Sequence, residues 1–295
     1  MKKVFERSLK KIKNQPINKN VSEIYNLSNN SMMSCWRLVL SDGLQLFAKT
    51  CDVVNSERLK FEAEGLNQLR KFAKKDYLVI PRPIGLETVD NISILLMPWL
   101  ILKSGNQRLL GEGLAFLHKN SSEENKKFGW NDDGFIGLGI QEGGYEKSWG
   151  NFFIKKRLLP QLKLGVSWGV NLKELEDLTN KLGNFLELHK PKSCLVHGDL
   201  WSGNAATNSS NQGVIFDPAA SWSDREVDIA MSKMFGGFDK DFYDGYNYVW
   251  PLDKEYYKRI EIYNLYHLLN HANIFGGSYV SQALTSIRII SNYLD

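Results

Sequence analysis

The chain has little of what would place it in a membrane, in an oxidising compartment or on nucleic acid. It holds three cysteines in 295 residues, Cys35, Cys51 and Cys194. Three is an odd number and the spacing matches no metal-ligand pattern, so reduced thiols in a cytoplasmic protein are expected. The longest apolar run, Ile92–Leu102, is too short to cross a bilayer and is broken by Pro98. The N-terminus lacks the apolar stretch and cleavage site of a signal peptide. Neither sign of charge dominates, since 37 Lys and Arg against 33 Asp and Glu leave +4. That balance suits a binder of small anions, and no basic run interleaved with aromatics points to nucleic acid.

What is present is an ordinary apolar fraction of 43%, enough for a full core. Near the N-terminus Phe5, Leu9 and Ile12 recur at helical spacing among lysines, which predicts an amphipathic surface helix. Cys35–Leu40 and Leu44–Lys49 read as strands joined through Ser41-Asp42-Gly43, where glycine supplies the positive φ of a tight turn. Glu57–Phe72 reads as a helix with Phe61, Gly65, Leu69 and Phe72 on one face. Ile84–Val89 and Ile92–Met97 read as a second hairpin around Asp90-Asn91. Beyond Pro98, Gly105–His118, Leu172–His189, Arg225–Phe235 and Lys254–Phe275 read as helices. The expectation is an α+β fold of two lobes. Residues 1–98 would form an antiparallel sheet with one main helix, and residues 99–295 a larger, mainly helical lobe. A ligand would sit in the cleft between them.

The most informative stretch is Leu195-Val-His-Gly-Asp-Leu-Trp-Ser-Gly-Asn204, followed by Val214-Ile-Phe-Asp-Pro218. Asp and Asn cap helices and fill turns routinely. Here, however, apolar strand-like segments flank the loop, and a second Asp ends the later one. Phosphoryl transfer from ATP needs such a set: a carboxylate base, plus an amide oxygen and a second carboxylate to hold Mg²⁺. In protein kinases these roles fall to the catalytic-loop Asp, its partner Asn and a later Asp. Asp199 is the candidate base, and Asn204 and Asp217 are the candidate metal ligands. His197 is expected to order the loop, because no Ser-His-Asp arrangement surrounds it. Trp201 is either core or a platform for a sugar at the acceptor pocket.

Lys49, at the end of a strand and before a helix carrying glutamates, matches the lysine that holds the α- and β-phosphates of ATP. Glu62 and Glu64 flank that helix's apolar face, and periodicity does not choose between them. The phosphate loop is expected at Ser28-Asn29-Asn30-Ser31. It contains no glycine, but Asn tolerates the left-handed region a phosphate-cradling turn requires. Asp224 and Asp228, in Asp224-Arg-Glu-Val-Asp228, are expected to support the structure, with Asp224 capping a helix and Asp228 reaching the catalytic-loop backbone.

At these residues the chain resembles the fructosamine kinases, or ketosamine-3-kinases, relatives of aminoglycoside and choline kinases with a protein-kinase-like fold. The resemblance runs through Phe61-Glu-Ala-Glu64, Phe128-Gly-Trp130, Gly134-Phe-Ile-Gly137, Trp149-Gly-Asn-Phe-Phe153 and Arg157-Leu158. It continues through His197–Asn204, Phe216-Asp-Pro-Ala219, Asp224–Ala230, Phe235-Gly-Gly237, Tyr243–Tyr246 and Phe275-Gly-Gly277. It implies ATP- and Mg²⁺-dependent phosphorylation of the 3-hydroxyl of a ketosamine, leading to deglycation of small amines or glycated proteins. Ribulosamines and erythrulosamines are implied ahead of fructosamines. The pattern Phe-x-Ala-Glu implies Glu64 as the partner of Lys49, and Asn29-Asn30 stand where the family carries Gly-Gly in its phosphate loop. A monomer with no membrane or nucleic-acid partner is expected. The competing readings are a kinase of another hydroxyl compound, such as an aminoglycoside or sugar, and a nucleotide-binding pseudokinase.

Overall fold

The structure, a computed structural model, describes residues 1–13, 16–29 and 32–294, with the backbone alone at Asn29 and Tyr293. Helix α1 (Lys2–Lys11) precedes three antiparallel strands, β1 (Val21–Asn29), β2 (Ser34–Leu40) and β3 (Gln45–Asp52). Helix α2 (Ser56–Phe72) and a short strand β4 (Leu78–Val79) lead to the hairpin of β5 (Gly85–Val89) and β6 (Ile92–Pro98). These strands, β4 excepted, form one sheet in the order β1-β2-β3-β6-β5. Both turns use the left-handed backbone their residues favour, with φ +84° at Gly43 and +51° and +61° at Asp90 and Asn91.

Strand β6 is apolar along nearly its whole length because the sheet is covered on both faces. Ile94 and Leu96 pack with Phe5 and Leu9 of α1, while Leu95 and Met97 pack with Leu59, Leu66 and Leu69 of α2. The same two-residue alternation in β3 sends Leu46 and Ala48 to the α1 side and Lys49 to the α2 side.

After β7 (Leu102–Lys103) and α3 (Arg108–Ser121) come four short strands, β8 (Phe128–Trp130), β9 (Gly134–Ile136), β10 (Gly139–Gln141) and β11 (Gly144–Glu146). Helix α4 (Trp149–Phe153) runs through a π-helical turn, Ile154–Leu158, into α5 (Leu159–Gly165), and α6 (Glu176–His189) follows. Then come β12 (Cys194–Val196), β13 (Ala205–Asn208), β14 (Gly213–Ile215) and β15 (Ser221–Ser223). The chain ends in α7 (Glu226–Ser232), α8 (Lys240–Val249), α9 (Tyr256–Phe275) and α10 (Ser278–Leu294). Trp149, Phe152 and Phe153 pack with Leu182, Leu186 and Tyr263 in the core of this part.

Two differences from the sequence reading affect the site. The helix expected over 225–235 stops at Ser232, where Phe235, Gly236 and Gly237 all take positive φ. The strands flanking the Asp199 loop belong to different sheets, since β12 pairs with β15, whereas β14 pairs with β13 and runs parallel to β4. Helices α8 and α10 have no counterpart in the sequence reading.

Candidate active site

Strand β12 delivers the chain into the loop His197–Asn204, and α7 holds that loop from below. The buried Asp228 accepts the backbone N–H of His197 at 2.7 Å and of Gly198 at 2.8 Å. The same carboxylate lies 3.1 Å from Nε2 of His118. Burial opposes ionisation of Asp228, but the His118 hydrogen bond and the loop N–H groups hold its carboxyl below the usual range. Gly198 has φ +82°, and a Cβ there would lie 2.1 Å from the carbonyl oxygen of Ala219, so only glycine fits. His197 is buried and accepts the N–H of Asp199 at Nδ1 (3.3 Å), which puts its proton on Nε2, 2.9 Å from the carbonyl oxygen of Phe216. It thus ties the Asp199 loop to the residue before Asp217 and orders the loop, as the sequence suggested. Asp217 itself sits at φ +62°. A non-glycine residue in that region is characteristic of functional turns.

The structure corrects the partner of Lys49. Its ammonium lies 2.8 and 2.9 Å from the two carboxylate oxygens of Glu62, both residues being buried, and also contacts Asp217. Glu64 is exposed. The reason is in the helix: Leu59, Glu62, Leu66 and Leu69 recur at intervals of three and four and form the stripe of α2 that meets the sheet. Glu64 falls outside that stripe. Burial works against the charge on Lys49, yet Asp217 and Glu62 outweigh it and hold the ammonium above its usual range. Burial pushes the Glu62 carboxyl up and Lys49 pulls it back. Asp217 is likewise opposed by burial, and the Lys49 ammonium keeps it ionised.

Asp199 and Asn204 meet directly. The Asn204 amide nitrogen donates to the backbone oxygen of Asp199 at 2.9 Å and to its carboxylate at 3.0 Å. This leaves the amide oxygen for another partner. With the carboxylate of Asp217 it makes a set of hard oxygen donors, which fits Mg²⁺ and would not select a softer metal. Burial, and then the nearby charge of Asp217, push the Asp199 carboxyl up to about 7. A carboxylate tuned to that range can exchange a proton near neutral pH.

Two cavities meet at Asp217. One, about 330 Å³, is lined by Ser28, Cys35, Phe47, Lys49, Met97 and Trp99 among others, and by Asp217. Its largely apolar wall and buried lysine suit a flat heteroaromatic base with phosphates. The other, about 260 Å³, is lined by Asp199, Trp201, Asn204 and Asp217, together with Arg58 and Phe135. Trp201 is 36% exposed and is therefore a wall of this cavity rather than core. Its ring lies over Gly203, where a Cβ would come within 2.3 Å of it. Of the proposed phosphate loop, Ser28 and the backbone of Asn29 end strand β1 opposite Cys35 and Ser34. Asn30, Ser31 and the Asn29 side chain lie outside the described residues. Sequence reasoning missed His118, which supports Asp228 from 110 positions away. No local pattern signals it.

A lysine on a five-stranded sheet paired with a glutamate of the following helix, facing an Asp-x₄-Asn loop and a later Asp, is the arrangement of the protein-kinase-like fold. An aminoglycoside phosphotransferase solved with AMP-PNP and hygromycin B shares this fold, at a TM-score of 0.58, 16% identity and coverage of 92% of this chain and 93% of that one. A Haemophilus somnus protein named as a putative fructosamine-3-kinase superposes with a TM-score of 0.86 at 26% identity, covering 98% of this chain and 97% of that one. A Vibrio parahaemolyticus protein named as a probable ketoamine kinase is 37% identical over 260 residues, covering 86% of this chain and 88% of its own. The sequence pattern of the fructosamine kinase family matches residues 2–293, and the chain belongs to that family of phosphotransferases acting on an alcohol group.

Proposed function

We propose that this protein phosphorylates the 3-hydroxyl of ketosamines with ATP, and that ribulosamine or erythrulosamine adducts are its preferred acceptors. In this reading residues 1–98 serve as the nucleotide lobe and residues 99–295 as the catalytic lobe. The observation that carries it is that two cavities meet at Asp217, one of about 330 Å³ lined by apolar side chains and the buried Lys49, the other of about 260 Å³ lined by Asp199 and Trp201. Asp199 takes the proton from the attacking hydroxyl. Lys49, oriented by Glu62, contacts the α- and β-phosphates, and Asn29, Asn30 and Ser31 cover the distal phosphates. Asn204 and Asp217 would hold Mg²⁺, which supplies charge neutralisation to the phosphates when bound. Trp201 stacks on the sugar. The product's 3-phosphate makes the adduct unstable, so the reaction leads to deglycation.

The test is ATP consumption across ribulosamine, erythrulosamine and fructosamine substrates with Mg²⁺ present. Turnover is expected, highest with the shorter sugars. Asp199→Asn is expected to lower kcat at least about 100-fold while the Mg-ATP thermal shift persists. Folded protein that binds ATP and turns over none of the three substrates would refute the reading.

A further inference from the structure

A strip of exposed aromatic rings leads out of the acceptor cavity, and we propose that it docks the alkylammonium arm of the sugar adduct, on a carrier the length of a lysine side chain within a peptide. This rests on the ketosamine reading above and names the part of the substrate that reading leaves unassigned.

The strip begins at Trp201, whose ring meets Phe235 edge to face at 6.0 Å. Phe235 lies 5.3 Å from His271, which lies 5.7 Å from Phe275 and 5.0 Å from Tyr279. Phe235 is 40% exposed and Phe275 is 61% exposed. Phenylalanine rings are normally buried, and a contiguous exposed set marks a contact surface. The backbone reinforces this. Phe235 has φ +52°, a region a bulky residue seldom enters, and strain of this kind gathers at functional sites. The Phe-Gly-Gly sequence occurs twice, at 235–237 and 275–277. The fold brings both phenylalanines to the same histidine.

The chemistry of the adduct matches. Its secondary amine, protonated near neutral pH, sits on C1, two carbons from the hydroxyl that faces Asp199. A cation there is attracted to aromatic faces. Nδ1 of His271 lies 2.8 Å from the carbonyl oxygen of His267, which places the proton on Nδ1 and leaves Nε2 able to accept an ammonium N–H. Arg58, which also lines the acceptor cavity, lies over Phe135 at 4.3 Å and is held by the carbonyl oxygens of Gly137 and Leu138, so the cavity already holds one fixed cation. From Trp201 to Phe275 the strip takes three ring-to-ring steps of five to six ångströms. A short amine would cover only the first. Lysine methylenes and the peptide beyond them would cover the rest.

The experiment compares three ligands by calorimetry with AMP-PNP present and by steady-state kinetics with ATP: ribulosyl-lysine in a short peptide, N-methyl ribulosamine and a neutral 1-O-hexyl ribulose ether. The peptide adduct is expected to bind about tenfold tighter than the ether. Phe275→Ala is expected to raise KM for the peptide adduct about tenfold with kcat held, and to move the N-methyl adduct less than twofold. Phe235→Ala is expected to weaken both amine adducts and spare the ether. Equal affinity for amine and ether, or no change in either variant, overturns the proposal. So does a concentration-dependent dimer that Phe275→Ala abolishes, which would make the strip a self-association surface. Selective binding of amine adducts without turnover would keep the strip and refute the kinase reading. Turnover without selectivity would do the reverse.

Discussion

Lys49 and Glu62 form a bidentate buried pair, with the ammonium 2.8 and 2.9 Å from the two carboxylate oxygens. Glu64, two residues along the same helix, faces solvent. The two glutamates therefore separate in a simple experiment. Glu62→Gln is expected to cost about 3 kcal/mol of stability, because it leaves a buried ammonium short of a counter-charge, and to lower kcat/KM. Glu64→Gln is expected to stay within about 0.5 kcal/mol of the parent on both counts. Urea denaturation and initial rates on the two variants check this, and a larger effect of Glu64→Gln than of Glu62→Gln would return the pairing to Glu64.

Asp228 is the support on which the Asp199 loop rests, so its removal leaves two buried N–H groups and His118 without an acceptor. Asp228→Ala is expected to cost about 2–5 kcal/mol and to reduce kcat even where the protein is folded. Chemical denaturation and activity measured at the same temperature test this. A folded variant with parental kcat would show that the loop holds its shape unaided.

Gly203 keeps Trp201 in place by having no side chain. In Gly203→Ala the new methyl, 2.3 Å from the indole, would push the ring out of its position. The expected result is an acceptor KM raised about tenfold, an ATP KM unchanged and a stability change within about 1 kcal/mol. Tryptophan fluorescence of the variant should shift as the ring moves. An unchanged acceptor KM would remove Trp201 from substrate contact.

His267 is buried with neither ring nitrogen hydrogen-bonded. Burial, together with the nearby His271 and Arg157, pushes its pKa down to about 3 against the partial opposition of Asp228. The unfolded chain takes up this proton near pH 6.5, and the folded chain does not until about pH 3. Between those values the unfolded state binds more protons, so stability is complete above pH 6.5 and falls as the pH drops. The slope from this group is about 1.4 kcal/mol per pH unit. His267→Leu is expected to flatten that part of the acid limb in denaturation curves taken from pH 7 to pH 4. An unchanged slope would assign the acid sensitivity elsewhere.

Much of the site was legible because its parts are local. The Asp199-to-Asn204 spacing, the short strands around the loop and Asp217, and the two hairpin turns are set by residues a few positions apart. Glu64 came from the family pattern Phe-x-Ala-Glu, and helix periodicity did not overrule it. Taking Phe61, Gly65, Leu69 and Phe72 as the face of α2 put Glu62 and Glu64 on equal flanks. The stripe that meets the sheet is Leu59, Glu62, Leu66 and Leu69. Helices α8 and α10 went unread. Each follows a glycine pair, Gly236-Gly237 and Gly276-Gly277, whose positive φ separates it from the helix before.

The linear sequence carried the candidate chemistry: a loop with an Asp and an Asn five positions apart, a strand lysine, a later Asp and a resemblance to one family over nearly the whole chain. The turns, strands and helices follow from short-range sterics and periodicity, which do not depend on the rest of the fold, and the family resemblance rests on motifs a few residues long. Folding in three dimensions was needed to show which glutamate holds Lys49, and that Lys49 reaches Asp217 across 168 positions. It also joined Asp228 to His118, and Trp201 and Phe235 to His271. These contacts link segments with no periodic relation to one another. They exist because burying three sets of apolar side chains leaves one arrangement in which the buried charges also find partners.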